Sequence, residues 1–148
     1  MKKFILLFTL FATSALAESP LVPNSKLTPG IVDSSATVPK ICKAGYSASV
    51  RNVPLSVKHQ VFVEYNTDPM SDQFEVDHLI SLELGGSNDI KNLWPQSYTT
   101  QPLNAHRKDV LENKLHSLVC SGQLDLATAQ KAIATDWIAA YRKYVKNN

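Results

Sequence analysis

Asp77 and His78 stand side by side in a run (Phe74, Val76, then Leu79 and Ile80) where a half-buried strand would ordinarily carry Thr or Val. Two adjacent ionisable groups in such a place need a chemical reason. Phosphodiester hydrolysis supplies one. It requires an activated water, neutralised phosphoryl oxygens and a stabilised leaving alkoxide, and one metal ion can serve all three with few side chains. His78 is suited to take the water's proton, since an imidazole titrates at about 6.5. Asp77 offers a hard anionic oxygen to a divalent ion.

The elements that must position these groups can be read around them. Phe74 to Leu82 predicts a strand, Gly85-Gly86-Ser87-Asn88 a turn needing positive φ, and Asn92 to Gln96 the returning strand. Between about Leu103 and Val119 a helix is predicted, with Leu103, Val110, Leu111, Leu115 and Leu118 on one side. Neighbouring residues on a flat strand point to opposite faces, so Asp77 and His78 share a pocket only if the strand bends there. Upstream, Ser56 reads as the N-cap of a short helix from Val57 to Tyr65, and residues 66–73 as a polar loop. A last helix runs from about Leu126 to Val145, carrying Leu126, Ile133, Trp137, Tyr141 and Tyr144, with Gly122 in the break before it.

The stretch D-H-L-I-x-L-E-L-G-G from Asp77, followed by K-N-L at Lys91 to Leu93, resembles the HNH endonucleases of the ββα-metal (His-Me finger) superfamily. More narrowly, the chain is similar to small secreted bacterial HNH proteins with an upstream C-x-x-G-Y segment, here Cys42 to Tyr46. The likeness covers about Cys42 to Tyr144 and is sharpest over residues 75–96 and 104–113. Ser81 departs from it, standing where such proteins often have Pro. The resemblance implies an α+β fold whose ββα-metal core is a two-stranded hairpin and a helix, with additional flanking helices. It also implies that Asn92 holds the imidazole of His78, the general base, through its side-chain amide oxygen.

Asp77 is then the first metal ligand, and the family takes the second from an Asn or His near the start of the helix. This chain offers both Asn104 and His106. At about 100° per residue, Asn104 lies within roughly 50° of the centre of the leucine stripe and His106 about 110° away, which favours Asn104 and leaves His106 as the alternative. Arg107 falls near the middle of the same stripe, where an unpaired charge would be costly, and is assigned to the substrate phosphate; Lys108 is the secondary candidate for such a contact. Oxygen ligands point to one divalent ion, Mg²⁺ first, with Mn²⁺, Ca²⁺ or Ni²⁺ as substitutes and Zn²⁺ left open.

Lys2 and Lys3, the apolar run Phe4 to Phe11 and the A-x-A site Ala15-Leu16-Ala17 read as a signal peptide over residues 1–17. The mature form is then periplasmic or secreted, with no membrane association. The two lysines account for the whole net charge of +2, so affinity for phosphate must come from local clusters such as Arg107, Lys108 and Lys114, or Arg142, Lys143 and Lys146. Residues 18–40, rich in Pro, Ser and Thr, read as a disordered lead-in, and 41–148 as one domain. Cys42 and Cys120 are expected to pair in an exported chain. His59 and His116 fall outside the pattern, and Trp94 and Trp137 read as core. The expectation is a metal-dependent endonuclease acting mainly on DNA, with RNA as a second substrate. It would have little sequence preference, because no separate reading module is present. The rival reading is a non-enzymatic module that keeps the scaffold to bind metal, nucleic acid or a partner protein.

Overall fold

The computed structural model describes residues 22–146; the segment read as a signal peptide lies outside the described residues. Helices α1 (Val38–Ile41), α2 (Tyr46–Val50) and α3 (Leu55–Glu64) precede strands β1 (Phe74–His78) and β2 (Leu93–Ser97). Two long helices follow, α4 (Ala105–Cys120) and α5 (Leu126–Tyr141), the second ending in a π-helical turn, Arg142–Lys146. The chain is thus α+β, with one two-stranded antiparallel hairpin flanked by helices.

Phe74 pairs with Ser97 and His78 with Leu93, so β1 stops at His78 rather than running on to Leu82. The reason is Asn92. Its Oδ1 accepts from the N–H of Ile80 (3.0 Å), and its Nδ2 donates to the carbonyls of Ile80 (3.0 Å) and Ser87 (2.9 Å). The side chain therefore occupies both backbone groups of Ile80, which a continuing β2 would otherwise have bonded, and the connection folds into short 3-10 turns at Leu82–Leu84 and Ile90–Asn92. The two glycines serve different ends. Gly85 has φ 74°, whereas Gly86 is needed because a Cβ there would lie 1.8 Å from the carbonyl oxygen of Ile80.

The buried face of α4 is Ala105, Lys108, Leu111, Leu115 and Val119, which corrects the predicted stripe. Val110 and Arg107 face solvent, and Lys108, expected at the surface or on a phosphate, has no exposed area. A lysine was not counted as core in the sequence, yet carboxylates on β1 and on α4 itself make it one. The apolar core lies beneath, where Leu111, Leu115 and Val119 meet Ile133, Trp137 and Tyr141 of α5 together with Ile41, Ile80 and Leu84. The last helix is bent: Asp136 leaves helical geometry (φ −162°, ψ 93°) and its Oδ1 caps the N–H groups of Ile138 and Ala139, 3.0 and 2.9 Å away.

The lead-in is also corrected where it is described. Thr28 is buried and donates to the carbonyl of Leu93 (2.7 Å), Gly30 N–H to Lys91 O (3.1 Å), and Val32 forms an isolated bridge with Gly86. Backbone groups of the β1–β2 connection, unpaired by any further strand, fix this Pro- and Ser-rich segment in place. Cys42 and Cys120 are joined in a disulfide across 78 residues, worth about 4 to 5 kcal/mol on the chain-entropy model. Among the described residues no helix is long and apolar enough to cross a membrane.

Gly86→Ala should destabilise by about 3 kcal/mol or more, at the upper end for overpacking, because the obstacle is a backbone carbonyl and not a movable side chain. Urea denaturation followed by circular dichroism measures it; a loss under about 1 kcal/mol would mean the connection is far softer than this geometry.

Candidate functional site

Alternation along β1 sends its side chains to two differently charged faces. Val76 and His78 lie toward the N-terminal half of α3, with Arg51, Asn52, Val53 and Lys58 around a cavity of about 240 Å³. Asp77 lies toward α4. The bend that would bring Asp77 and His78 into one pocket is not made.

His78 is buried, and its Nε2 is 3.1 Å from Oδ1 of Asn88. The orientation of that amide is fixed from its other end, since Asn88 Nδ2 donates to the carbonyl of Val50 (2.8 Å), which can only accept. Asn88 Oδ1 also accepts from the backbone N–H of Asn52 at 3.3 Å. The Asn88 oxygen must therefore accept from the imidazole, so His78 carries its proton on Nε2 and its lone pair on Nδ1. Burial holds this imidazole below the ordinary 6.5, with Arg51 and Lys108 acting in the same direction against the Asn88 hydrogen bond and Asp77. It is a neutral base with an assigned tautomer. Beside it, Arg51 and Lys58 are exposed, and neither has a carboxylate in ion-pair reach among the described residues.

On the other face, Asp77 Oδ2 is 2.7 Å from Lys108 Nζ and accepts from the indole N–H of Trp94 at 3.3 Å. The ammonium also donates to the carbonyl of His78 (2.7 Å) and to Glu112 Oε1, so all its donors are engaged. Burial pushes the Glu112 carboxyl up to about 7 against the pull of the Lys108 ammonium, with Ser81 acting in the same downward direction. Burial pushes the carboxyls of Glu75 and Asp109 upward, and the charge of Asp77 adds to both shifts. Tyr98, partly buried and donating to Glu75, is pushed up to about 12. This face holds an excess of negative charge and would repel a phosphate.

The other expected residues are placed as follows. Asn92 does not touch the imidazole, because its amide holds Ile80 and Ser87; Asn88 takes that position. Asn104 caps α4, accepting from Arg107 N–H (3.2 Å) and donating to Tyr98 O (3.0 Å). His106 is exposed, stacked on the Tyr98 ring with centroids 5.4 Å apart, and its Nδ1 is 4.0 Å from Asp109. The residues present therefore do not fit a divalent ion between Asp77 and Asn104. Asp77 Oδ2 already has an ammonium, the Asn104 oxygen has a backbone N–H, and His78 is on the far face. The cation seated beside Asp77 is Lys108.

Sequence alone does not point to Arg51, Lys58 or Asn88. Asn88 has the signal of a turn residue, with its ten-residue separation from His78 as the one hint, and Arg51 and Lys58 reach the site through tertiary packing that carries no local signal. Elsewhere, Cys42, His116 and Cys120 form a group with ligand atoms within 4.8 Å of one another, a set that could hold a metal ion. No family model matches the chain, and no curated protein or solved structure does.

Lys108→Met should cost about 3 to 5 kcal/mol at neutral pH, because two largely buried carboxylates would lose the ammonium they share. Part of that loss should return under acid conditions as the carboxylates protonate. Urea melts at both pH values measure this, and an unchanged midpoint would show that the ammonium does not hold β1 to α4.

Proposed function

We propose that this chain hydrolyses phosphodiester bonds in nucleic acid, with His78 as general base at Nδ1 and Arg51 and Lys58 against the phosphate. The observation that carries the reading is a buried, neutral imidazole of assigned tautomer lining a cavity beside two cations that have no carboxylate in ion-pair reach among the described residues. A phosphate oxyanion suits those cations, and the opposite, acidic face of β1 would reject it. His78 takes the proton of a water as its oxygen bonds phosphorus, Arg51 and Lys58 offset charge developing on the phosphoryl oxygens, and the departing oxygen leaves with the P–O bonding pair and takes its proton from solvent. Few contacts to base edges are available in so small a cationic cleft, which supports cleavage with little sequence preference, on DNA or RNA. The hairpin followed by α4 agrees in order with an HNH ββα unit, and the Cys42–Cys120 disulfide suits the oxidising conditions met by an exported protein.

The second reading, a module that binds without cleaving, draws on a specific observation too. Lys108 occupies the position beside Asp77 where an HNH enzyme would hold its ion.

Plasmid degradation by the oxidised protein, in Mg²⁺, Mn²⁺, Zn²⁺ or EDTA, separates the two. His78→Ala of equal stability should lose about 10² to 10⁴-fold in rate, and Arg51→Ala and Lys58→Ala should each lower kcat as well as raise KM, because they meet the phosphate both on binding and as its charge develops. The base works only unprotonated, and burial lowers its pKa, so activity should be level at pH 7 and fall on an acid limb lying below 6.5. Asn88→Asp would put a carboxylate against the imidazole, favour its charged form and move that limb to higher pH. A wild type inactive in every condition would leave the binding module.

A further inference from the structure

The group at the disulfide lies away from the cleft just described and has its own chemistry. His116 and Cys120 are one turn apart on α4, with Sγ and Nε2 3.3 Å from each other. Cys42 approaches from the end of α1. Glu83, on the 3-10 turn after β1, lines with Cys42 and His116 a cavity of about 230 Å³. Its Oε2 is buried without a hydrogen-bond partner, which a carboxylate oxygen seldom is. Ligands about 2.0 to 2.3 Å from a tetrahedral zinc stand roughly 3.3 to 3.8 Å from one another, the spacing already present between Cys120 and His116.

We propose that Cys42, Cys120, His116 and Glu83 form a redox-gated site for a zinc-class cation, shut while the disulfide is intact and opened by its reduction. In the oxidised form the sulfurs are bonded to each other, and His116 Nε2–H donates to the carbonyl of Ile41 at 3.0 Å. A dithiol delivers two electrons and two protons to the S–S bond, becoming a disulfide itself. The cation then displaces both thiol protons and takes the Nε2 lone pair, the imidazole proton moving to Nδ1. Two thiolates and an imidazole select zinc over magnesium. Glu83 stands outside the 4.8 Å group formed by the other three, so its side chain must swing across the cavity to serve as a fourth ligand, a move that would pair its orphaned oxygen.

The test uses the full chain, oxidised or reduced with a water-soluble phosphine that ends as its oxide and offers no competing thiol. Each form is titrated with Co²⁺ and then with Zn²⁺ against a chromogenic chelator, and circular dichroism is recorded throughout. The reduced chain should bind a single equivalent of Co²⁺ with thiolate charge-transfer and tetrahedral d–d bands, Zn²⁺ should displace it, and the oxidised chain should show neither band. Glu83→Gln and His116→Ala should each weaken Zn²⁺ binding about tenfold or more. Absence of those bands in the reduced wild type overturns the proposal. So does equal affinity in both variants, which would mean two thiolates binding alone, and so does a reduced chain that unfolds and regains no helix with Zn²⁺. None of these readouts depends on hydrolytic activity.

Discussion

A lysine ammonium with no exposure to solvent organises the centre of this protein. Lys108 holds Asp77 of β1, the carbonyl of His78 and Glu112 of its own helix, so the strand end and α4 are tied through one charged atom. Replacing the whole network by apolar groups of similar volume could be as stable; a buried ion pair earns its place by fixing geometry more than by adding free energy. Here the geometry fixed is the end of β1. Because the ammonium grips the carbonyl of His78 and the carboxylate of Asp77, the strand cannot twist to swap its faces without leaving a buried charge unpaired.

From that constraint follows the division of labour along the hairpin. The acidic groups Glu75, Asp77, Asp109 and Glu112 gather on the α4 side around a single cation, and the imidazole is left on the α3 side among basic groups. Asn92 and Asn88 divide a task that one asparagine was expected to perform. The first bonds backbone only and shapes the connection after β1; the second bonds the His78 ring and, through Val50 and Asn52, brings Arg51 close to it.

Much of this was legible in the sequence, and the parts that were not share a cause. The hairpin, the Gly-Gly connection and the two long helices follow from periodicity and turn chemistry, and the cysteine pairing from their even count in a chain read as exported. Sequence alone misplaces the face of α4 because Arg107 and Lys108 are adjacent, about 100° apart, and a stripe through Leu103, Val110, Leu111, Leu115 and Leu118 runs close to Arg107. Only Asp77 and Glu112, one of them distant in sequence, make Lys108 the buried member. The bend at Asp136 had a local signal, an acceptor able to cap a second helix, but it sits inside an unbroken apolar period that reads as one helix. Residues 24–33 have no period because they are held by hydrogen bonds to a connection that is itself irregular.

The disulfide has a topological meaning as well as an energetic one. Arg51, Lys58, His78, Asn88 and Lys108 all fall between Cys42 and Cys120, so the whole candidate site belongs to one covalent ring. A single backbone cut within that ring, for instance in the exposed stretch 68–70, opens it without releasing a fragment. The hairpin and α4 would remain tethered to α3 after such a cut, and only a second break or loss of the S–S bond would let the halves diffuse apart.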